Sequence, residues 1–326
     1  RDCLLSRGLG DVYKRQITSC SSNNNDNKPQ EEANTNKTSV SESTDQKKTI
    51  TVTTTFLADM VNELIGDKAN VELIIPAGGD PHIYEAKPED YTKITDADLV
   101  LYHGLHFEGK MMDALENSGY AVTSTFSKDK IGEMDEDGKT IEDPHFWFDI
   151  DLYKEAFKNT ADKLKELYAD DDEMIKLIDK NYDRYAKELD DLDQYIKDKL
   201  DQLPDEQKYL ITPHDAFNYF SRRYDIKVMA PQGVTTESEV SNKDLEDTAQ
   251  FIADHKIKAV FAESTTNPER MEKLADIVKS KGFETKVVGG DGEELFSDSL
   301  AEKGKDGDNY IDMYKHNIDL IVDNLK

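Results

Sequence analysis

Three proline–histidine pairs stand out in this chain: Gly78-Gly79-Asp80-Pro81-His82, Asp143-Pro144-His145 and Pro213-His214-Asp215. There are seven histidines in 326 residues, and three of them directly follow a proline. Proline fixes its own φ, lacks an N–H and pushes the preceding residue out of the helical region. A histidine held this way sits on a stiff, non-helical backbone with its imidazole aimed by the chain. That suits a metal ligand, because a metal tolerates little error in ligand position. The pairs are far apart in sequence, so a shared site has to be assembled by the fold.

The elements around the pairs show how. In the first part, residues 49–55 (TITVTTT) read as a strand, 56–65 as a helix and 71–75 as a second strand. That strand runs into the breaker-rich turn carrying His82. Residues 88–94 suit a short helix with proline at its start, 98–102 (DLVLY) a buried strand, and 120–123 a further strand. Strands alternating with helices imply a parallel sheet covered on both faces, and ligands bind such sheets beyond the carboxyl ends of the strands. Residues 127–143, with Glu133, Asp135, Glu136 and Asp137, read as a solvated surface loop, since the spacing fits no EF-hand. The only tryptophan, Trp147, follows the second pair and either dries a metal site or belongs to ordinary core.

Residues 151–168 form an amphipathic helix. A second runs from about 171 to 200 with Ile178, Tyr182, Tyr185, Leu189, Leu192 and Ile196 in one stripe, closed by Pro204. It reads as a strut between two lobes rather than a coiled-coil seam. Beyond it the alternation resumes: strand 208–211 ending at His214, helix 216–224, strand 226–230, helix 242–255, strand 259–262 ending at Glu263, helix 268–280, strand 285–288 and a final helix 308–325. Between them, residues 295–300 place Asp298 among apolar side chains. The expected division is 49–170 for an N-terminal lobe, 171–203 for the linking helix and 204–326 for a C-terminal lobe.

Composition bounds the rest. The chain is 37% hydrophobic and 34% charged, its net charge is −28, and no stretch approaches the ~20 apolar residues of a membrane span. Such an acidic surface repels nucleic acid and anionic lipid. The two cysteines, Cys3 and Cys20, precede the globular part, so a metal bound there must be held by nitrogen and oxygen. Residues 1–16 read as foreign sequence, a translated adaptor end that replaces a signal peptide. Ile17-Thr18-Ser19-Cys20 resembles a bacterial lipobox whose cysteine is lipidated. Residues 21–48 are polar throughout and make a flexible tether, so 17–48 is expected to be lipobox remnant and leash.

Taken together, PAGGDPHIYEAKPED (76–90), ADLVLYHGLHFEGKM (97–111), DPHFWFD (143–149), TPHDAFNYFSRRY (212–224), VTTESEVS (234–241), VFAES (260–264) and LFSDSLAEKGKDGDNYIDMYKHN (295–317) resemble one family. This is the metal-binding lipoproteins of bacterial zinc and manganese ABC importers, the cluster A-I solute-binding proteins. The likeness spans residue 49 to the C-terminus. It implies two (β/α) lobes with parallel sheets, joined by one long rigid helix, and one metal in the cleft held by His82, His145, His214 and Asp298. It assigns no ligand role to His103 or His106; His255 and His316 fall on helices as surface residues. Glu263 and Asp215 are candidates to orient a ligand imidazole from behind.

Three imidazoles and one carboxylate suit Zn2+, whereas Mn2+ prefers more oxygen. In the family, manganese proteins often carry Glu at the position of His214, and zinc proteins often carry a His-rich loop that residues 127–142 lack. The ligand set weighs more, so Zn2+ is expected, with Mn2+ the alternative. The expected role is a lipid-anchored monomer outside the bacterial membrane that hands metal to a permease. The chain has no GxxxxGK[ST] loop, so the ATPase is another subunit. A zinc metallohydrolase is the rival, but four protein ligands leave no place for water and no HExxH is present. An adhesin is a second rival.

Overall fold

The computed structural model describes residues 47–136, 139–290 and 292–326. The lipobox at Cys20, the foreign start and all but the last two residues of the tether lie outside the described residues. The first strand, β1 (Thr49–Val52), carries Ile50 and Val52 fully buried and leads into α1 (Thr55–Ile65). Then follow β2 (Asn70–Leu73), α2 (Pro88–Asp96), β3 (Leu99–Tyr102), α3 (Met112–Ser118) and β4 (Tyr120–Ala121). These strands form one parallel sheet in the order β2-β1-β3-β4. Pro88 opens α2 at a position where a missing N–H costs nothing, and the Asp90 carboxylate accepts the Lys87 N–H at 2.9 Å.

The acidic stretch read as a solvated loop is instead an antiparallel hairpin, β5 (Gly132–Glu136) and β6 (Lys139–Asp143). Its register pairs Met134 with Ile141, so one apolar pair anchors two otherwise polar strands. Charge density hid that alternation in the sequence. The Tyr219 hydroxyl ties the hairpin to the C-terminal half, accepting from the Gly132 N–H at 2.8 Å and donating to the Asp143 carbonyl at 2.9 Å.

A short turn at Phe146–Phe148 precedes α4 (Ile150–Leu167), and α5 (Asp172–Leu200) follows. The Asp171 carboxylate caps α5 by accepting the Glu173 and Met174 N–H groups at 3.1 and 3.0 Å. One face of α5 buries Ile178, Tyr185, Leu189, Leu192, Ile196 and Leu200. That face packs on α1 and α4 and on the last helix. The C-terminal half consists of β7 (Tyr209–Ile211), α6 (Asn218–Tyr224), β8 (Lys227–Met229), α7 (Asn242–His255), β9 (Ala259–Phe261), α8 (Glu269–Ser280), β10 (Lys286–Val288) and α9 (Tyr310–Leu325). β7 pairs with β8 and β9 with β10, both parallel. The fold is therefore α/β with parallel sheets in two halves and one long helix packed against both. A single hydrophobic cluster runs from Ile50 through Trp147 and Leu189 to Tyr314. Among the described residues no helix is long and apolar enough to cross a membrane.

Candidate metal centre

Each Pro-His pair follows a strand, closely after β6 and β7 and at the end of a longer turn after β2, and in two of them the residue before proline fixes the turn. After β2, the Asp80 Oδ1 accepts the His82 N–H at 3.0 Å. After β6, the Asp143 Oδ1 accepts the His145 N–H, also at 3.0 Å. In both, a short carboxylate closes a local turn that proline has already restricted. After β7, the Thr212 hydroxyl donates to the His214 carbonyl at 2.9 Å, and the backbone of His214 pairs with that of Gln232. Asp298 follows Leu295, which bridges to Glu263 at the end of β9.

These four loops converge. His82, His145, His214 and Asp298 each point one ligand atom at a common centre, all within 4.8 Å of one another. The Nε2 atoms of His82 and His214 each stand 3.4 Å from the Nε2 of His145. Asp298 oxygens stand 3.3, 3.2 and 3.9 Å from the Nε2 atoms of His145, His214 and His82. Four ligands at zinc bond lengths and tetrahedral angles would stand about 3.3 Å apart. Most of these separations match that figure.

The orientation of two rings is fixed from behind. His145 Nδ1–H donates to Asp143 at 2.8 Å, and His214 Nδ1–H donates to Glu263 at 2.5 Å. Carboxylates only accept, so each ring keeps its Nε2 lone pair for the centre. Glu263, singled out in the sequence, thus holds His214. Among the described residues no hydrogen bond joins Asp215 to an imidazole; the Asn218 amide donates to its backbone carbonyl at 3.2 Å. Asp143 was not singled out, although the repeated Asp-Pro-His was the signal for it.

The centre is dry: His145 and His214 are fully buried, Asp298 is 1% exposed and His82 3%. His82 borders a cavity of about 320 Å3, with Val234, Thr235 and Glu237 along one wall. Trp147 does both things weighed for it. Its ring lies 5.2 Å from that of His145, and its indole N–H donates to the Ser297 carbonyl at 2.9 Å, steadying the segment that carries Asp298. Gly109 lets the loop behind His82 pass close. A Cβ there would fall 2.2 Å from the His82 carbonyl oxygen.

Charge follows from this packing. Burial disfavours the charged form of both imidazoles, but Asp143 and Asp298 outweigh it at His145, raising it to about 9. Glu263 and Asp298 likewise hold His214 well above the usual histidine range against the effect of burial. Burial would raise Asp298, yet His214 and His145 hold it well below the ordinary carboxylate range. His82 has no carboxylate that close, and burial lowers it to about 3. The neighbouring carboxylates thus favour protons on His145 and His214, which a divalent cation would displace.

The remaining histidines lie apart from the centre. His103 is buried, its Nε2 2.7 Å from the Thr54 hydroxyl and its ring against Phe107 and Trp147. His106 is exposed, His255 bonds the Phe251 carbonyl within α7, and His316 donates to the Glu294 carbonyl.

The sequence model of the zinc-uptake complex component A (ZnuA) family, described as periplasmic, matches residues 50–324. The chain belongs to the ZnuA family. Among its ZnuA-type relatives, the manganese-binding lipoprotein MntA of Bacillus subtilis is 34% identical over 293 residues, covering 88% of this chain and 93% of that protein. The zinc-binding protein TroA of Treponema pallidum is 35% identical over 283 residues, covering 85% and 89%. The solved structure of that TroA, a periplasmic zinc-binding protein, superposes with a TM-score of 0.79 over 86% of this chain and 99% of its own. Another TroA structure, from work on metal-binding specificity, is 54% identical with a TM-score of 0.84, covering 86% and 100%. The ZnuA family is one of solute-binding transport proteins rather than enzymes.

Proposed function

We propose that this chain captures a divalent metal, Zn2+ first, outside the cytoplasm and delivers it to the membrane permease of an ABC importer. The ATPase of that importer is a separate subunit. Cys20 carries the lipid that anchors the chain to the outer face of the bacterial cell membrane, and residues 17–48 are its leash. Residues 49–170 and 204–326 act as two metal-gripping lobes bridged by 171–203, and the chain works as a monomer. His82, His145, His214 and Asp298 are the ligands, with Asp143 and Glu263 orienting two of them.

One observation carries this reading: four buried ligand atoms from four separate loops face a common centre, two of them with their Nε2 lone pairs aimed inward from behind. An N3O set at tetrahedral spacing favours zinc. The manganese alternative draws on relatives such as MntA, which is named for manganese binding. A metallohydrolase would need an open coordination position, and four protein ligands fill a tetrahedron. The test is elemental analysis of the full chain from rich medium, followed by competition between Zn2+ and Mn2+. About one metal per chain is expected, lost in the His82→Ala/His214→Ala double variant. A metal-free parent that takes up neither ion refutes the reading. Cell attachment that survives in the double variant would speak for an adhesin.

A further inference from the structure

Asp80 lies two residues before His82 and is half-buried. Both of its oxygens are engaged, in different directions. Oδ1 accepts the His82 N–H at 3.0 Å, and Oδ2 accepts the hydroxyl of Thr236 at 2.6 Å from 156 positions along the chain. Thr236 sits on a loop that is itself braced. The Gln232 side-chain amide donates to the carbonyls of Thr236 and Ser238 at 3.1 and 2.5 Å, and Arg270 donates to the Gln232 oxygen at 2.6 Å. The backbone of Gln232 pairs with that of His214, and the Gly233 carbonyl accepts the Asp215 N–H. A second link crosses nearby: the Gly78 N–H donates to the hydroxyl of Ser299, the neighbour of Asp298.

From these contacts we infer that Asp80 is a positioning residue which latches the His82 turn to the Thr236 loop, and that this latch sets how slowly captured metal escapes. The inference rests on the metal-capture reading above. The physical reason is a continuous chain of bonds. Moving the Thr236 loop away from Asp80 either breaks a charge-assisted bond or drags the turn that carries His82. The same loop supplies Val234, Thr235 and Glu237 to the cavity in front of His82, so the latch lies across the approach to that ligand. Asp80 touches no metal-facing atom; it acts through the His82 N–H.

The decisive variants separate the two oxygens. Thr236→Val removes the cross-link and keeps the His82 turn. Asp80→Ala removes both bonds. Asp80→Asn keeps an oxygen for the His82 N–H and offers its amide N–H to the Thr236 hydroxyl. The full chain is loaded with Zn2+, and in parallel Mn2+, and release is followed by stopped flow into a chromophoric chelator. Thr236→Val should release metal about tenfold faster, since one bond to a charged acceptor is lost. Metal-free thermal unfolding should remain one cooperative transition, which checks that the variant still folds. Asp80→Ala should release faster still, and Asp80→Asn should fall between the parent and Asp80→Ala, because it keeps the bonds but not the charge. Adding Thr236→Val to Asp80→Ala should add nothing, because the shared bond is already gone. Release from Thr236→Val within about twofold of the parent would overturn the latch alone, since the parent still captures metal. So would a Thr236→Val effect that persists in the Asp80→Ala background. A parent chain that holds neither ion overturns both readings.

Discussion

Replacing Glu263 by glutamine probes what lies behind the ligands. Glu263 is 1% exposed, takes the His214 Nδ1–H at 2.5 Å and the Ser297 hydroxyl at 3.1 Å. Glutamine has the same shape, and its oxygen can accept both bonds, so the ring should stay in place. What disappears is one buried negative charge. A bond to a charged acceptor contributes about 1.5–3 kcal/mol against about 0.5–1.5 for a neutral one. The difference is about 1–1.5 kcal/mol, and loss of attraction to the dication adds to it. Metal affinity should therefore fall about 10–100-fold. The pH dependence makes the argument sharper. In the metal-free protein the Glu263 charge also favours a proton on His214, which raises that histidine. At low pH the proton and the metal compete for the same stabilisation, so deleting the charge weakens both and the net loss is small. As pH rises through the raised histidine range, the metal-free form no longer gains from the charge while the metal-bound form still does. The gap between parent and Glu263→Gln should widen as pH rises above the ordinary histidine range. Chelator competition on metal-stripped protein, with thermal unfolding of the metal-free forms as a fold check, measures it. Equal affinities throughout, or a gap that narrows as pH rises, would show that Glu263 does not tune His214.

Asp143→Ala removes the acceptor for both the His145 N–H and its Nδ1–H, and should weaken Zn2+ binding about 10–100-fold by the same competition assay. Gly109→Ala places a methyl group 2.2 Å from the His82 carbonyl oxygen at a φ of +36°, so His82 must shift and metal affinity should drop at least about tenfold. Asp59→Asn concerns the scaffold: burial raises Asp59 to about 7, although the Tyr310 N–H bond opposes the shift. The folded state keeps this proton in the window from about pH 4 to 7, where the unfolded chain has lost it, so this group makes the parent less stable as pH rises. Relative to the parent, the asparagine variant should gain in melting temperature between pH 5 and pH 8, as read by calorimetry on the metal-free protein.

Backbone chemistry made much of this molecule legible before any coordinates. Proline followed by histidine, three times, marks stiff turns beyond strands, and His82, His145 and His214 occupy such turns. The stripe from Ile178 to Leu200 marks α5 because four-and-three spacing can face one core only on a helix. What stayed hidden depends on pairing across the chain. The hairpin of β5 and β6 is held by a single apolar pair, Met134 with Ile141, and its acids masked the two-residue period. Asp143 looked like one more surface acid, yet the fold spends it on His145. Asp215 and Glu263 were equal candidates in the sequence, each just beyond a strand. Only the folded arrangement separates them, since Glu263 reaches the Nδ1 of His214 while Asp215 meets Asn218 through its backbone carbonyl. The repeated Asp-Pro-His shows how far local reading can go. It contains the Asx turn that seats His82 and His145, because a carboxylate two residues before an N–H closes that turn without help from the rest of the fold. It does not contain the second use of each aspartate, Asp143 on an imidazole and Asp80 on Thr236, because those partners come from how the turns pack. Local chemistry therefore specifies where a ligand is presented, and long-range packing specifies what holds it there.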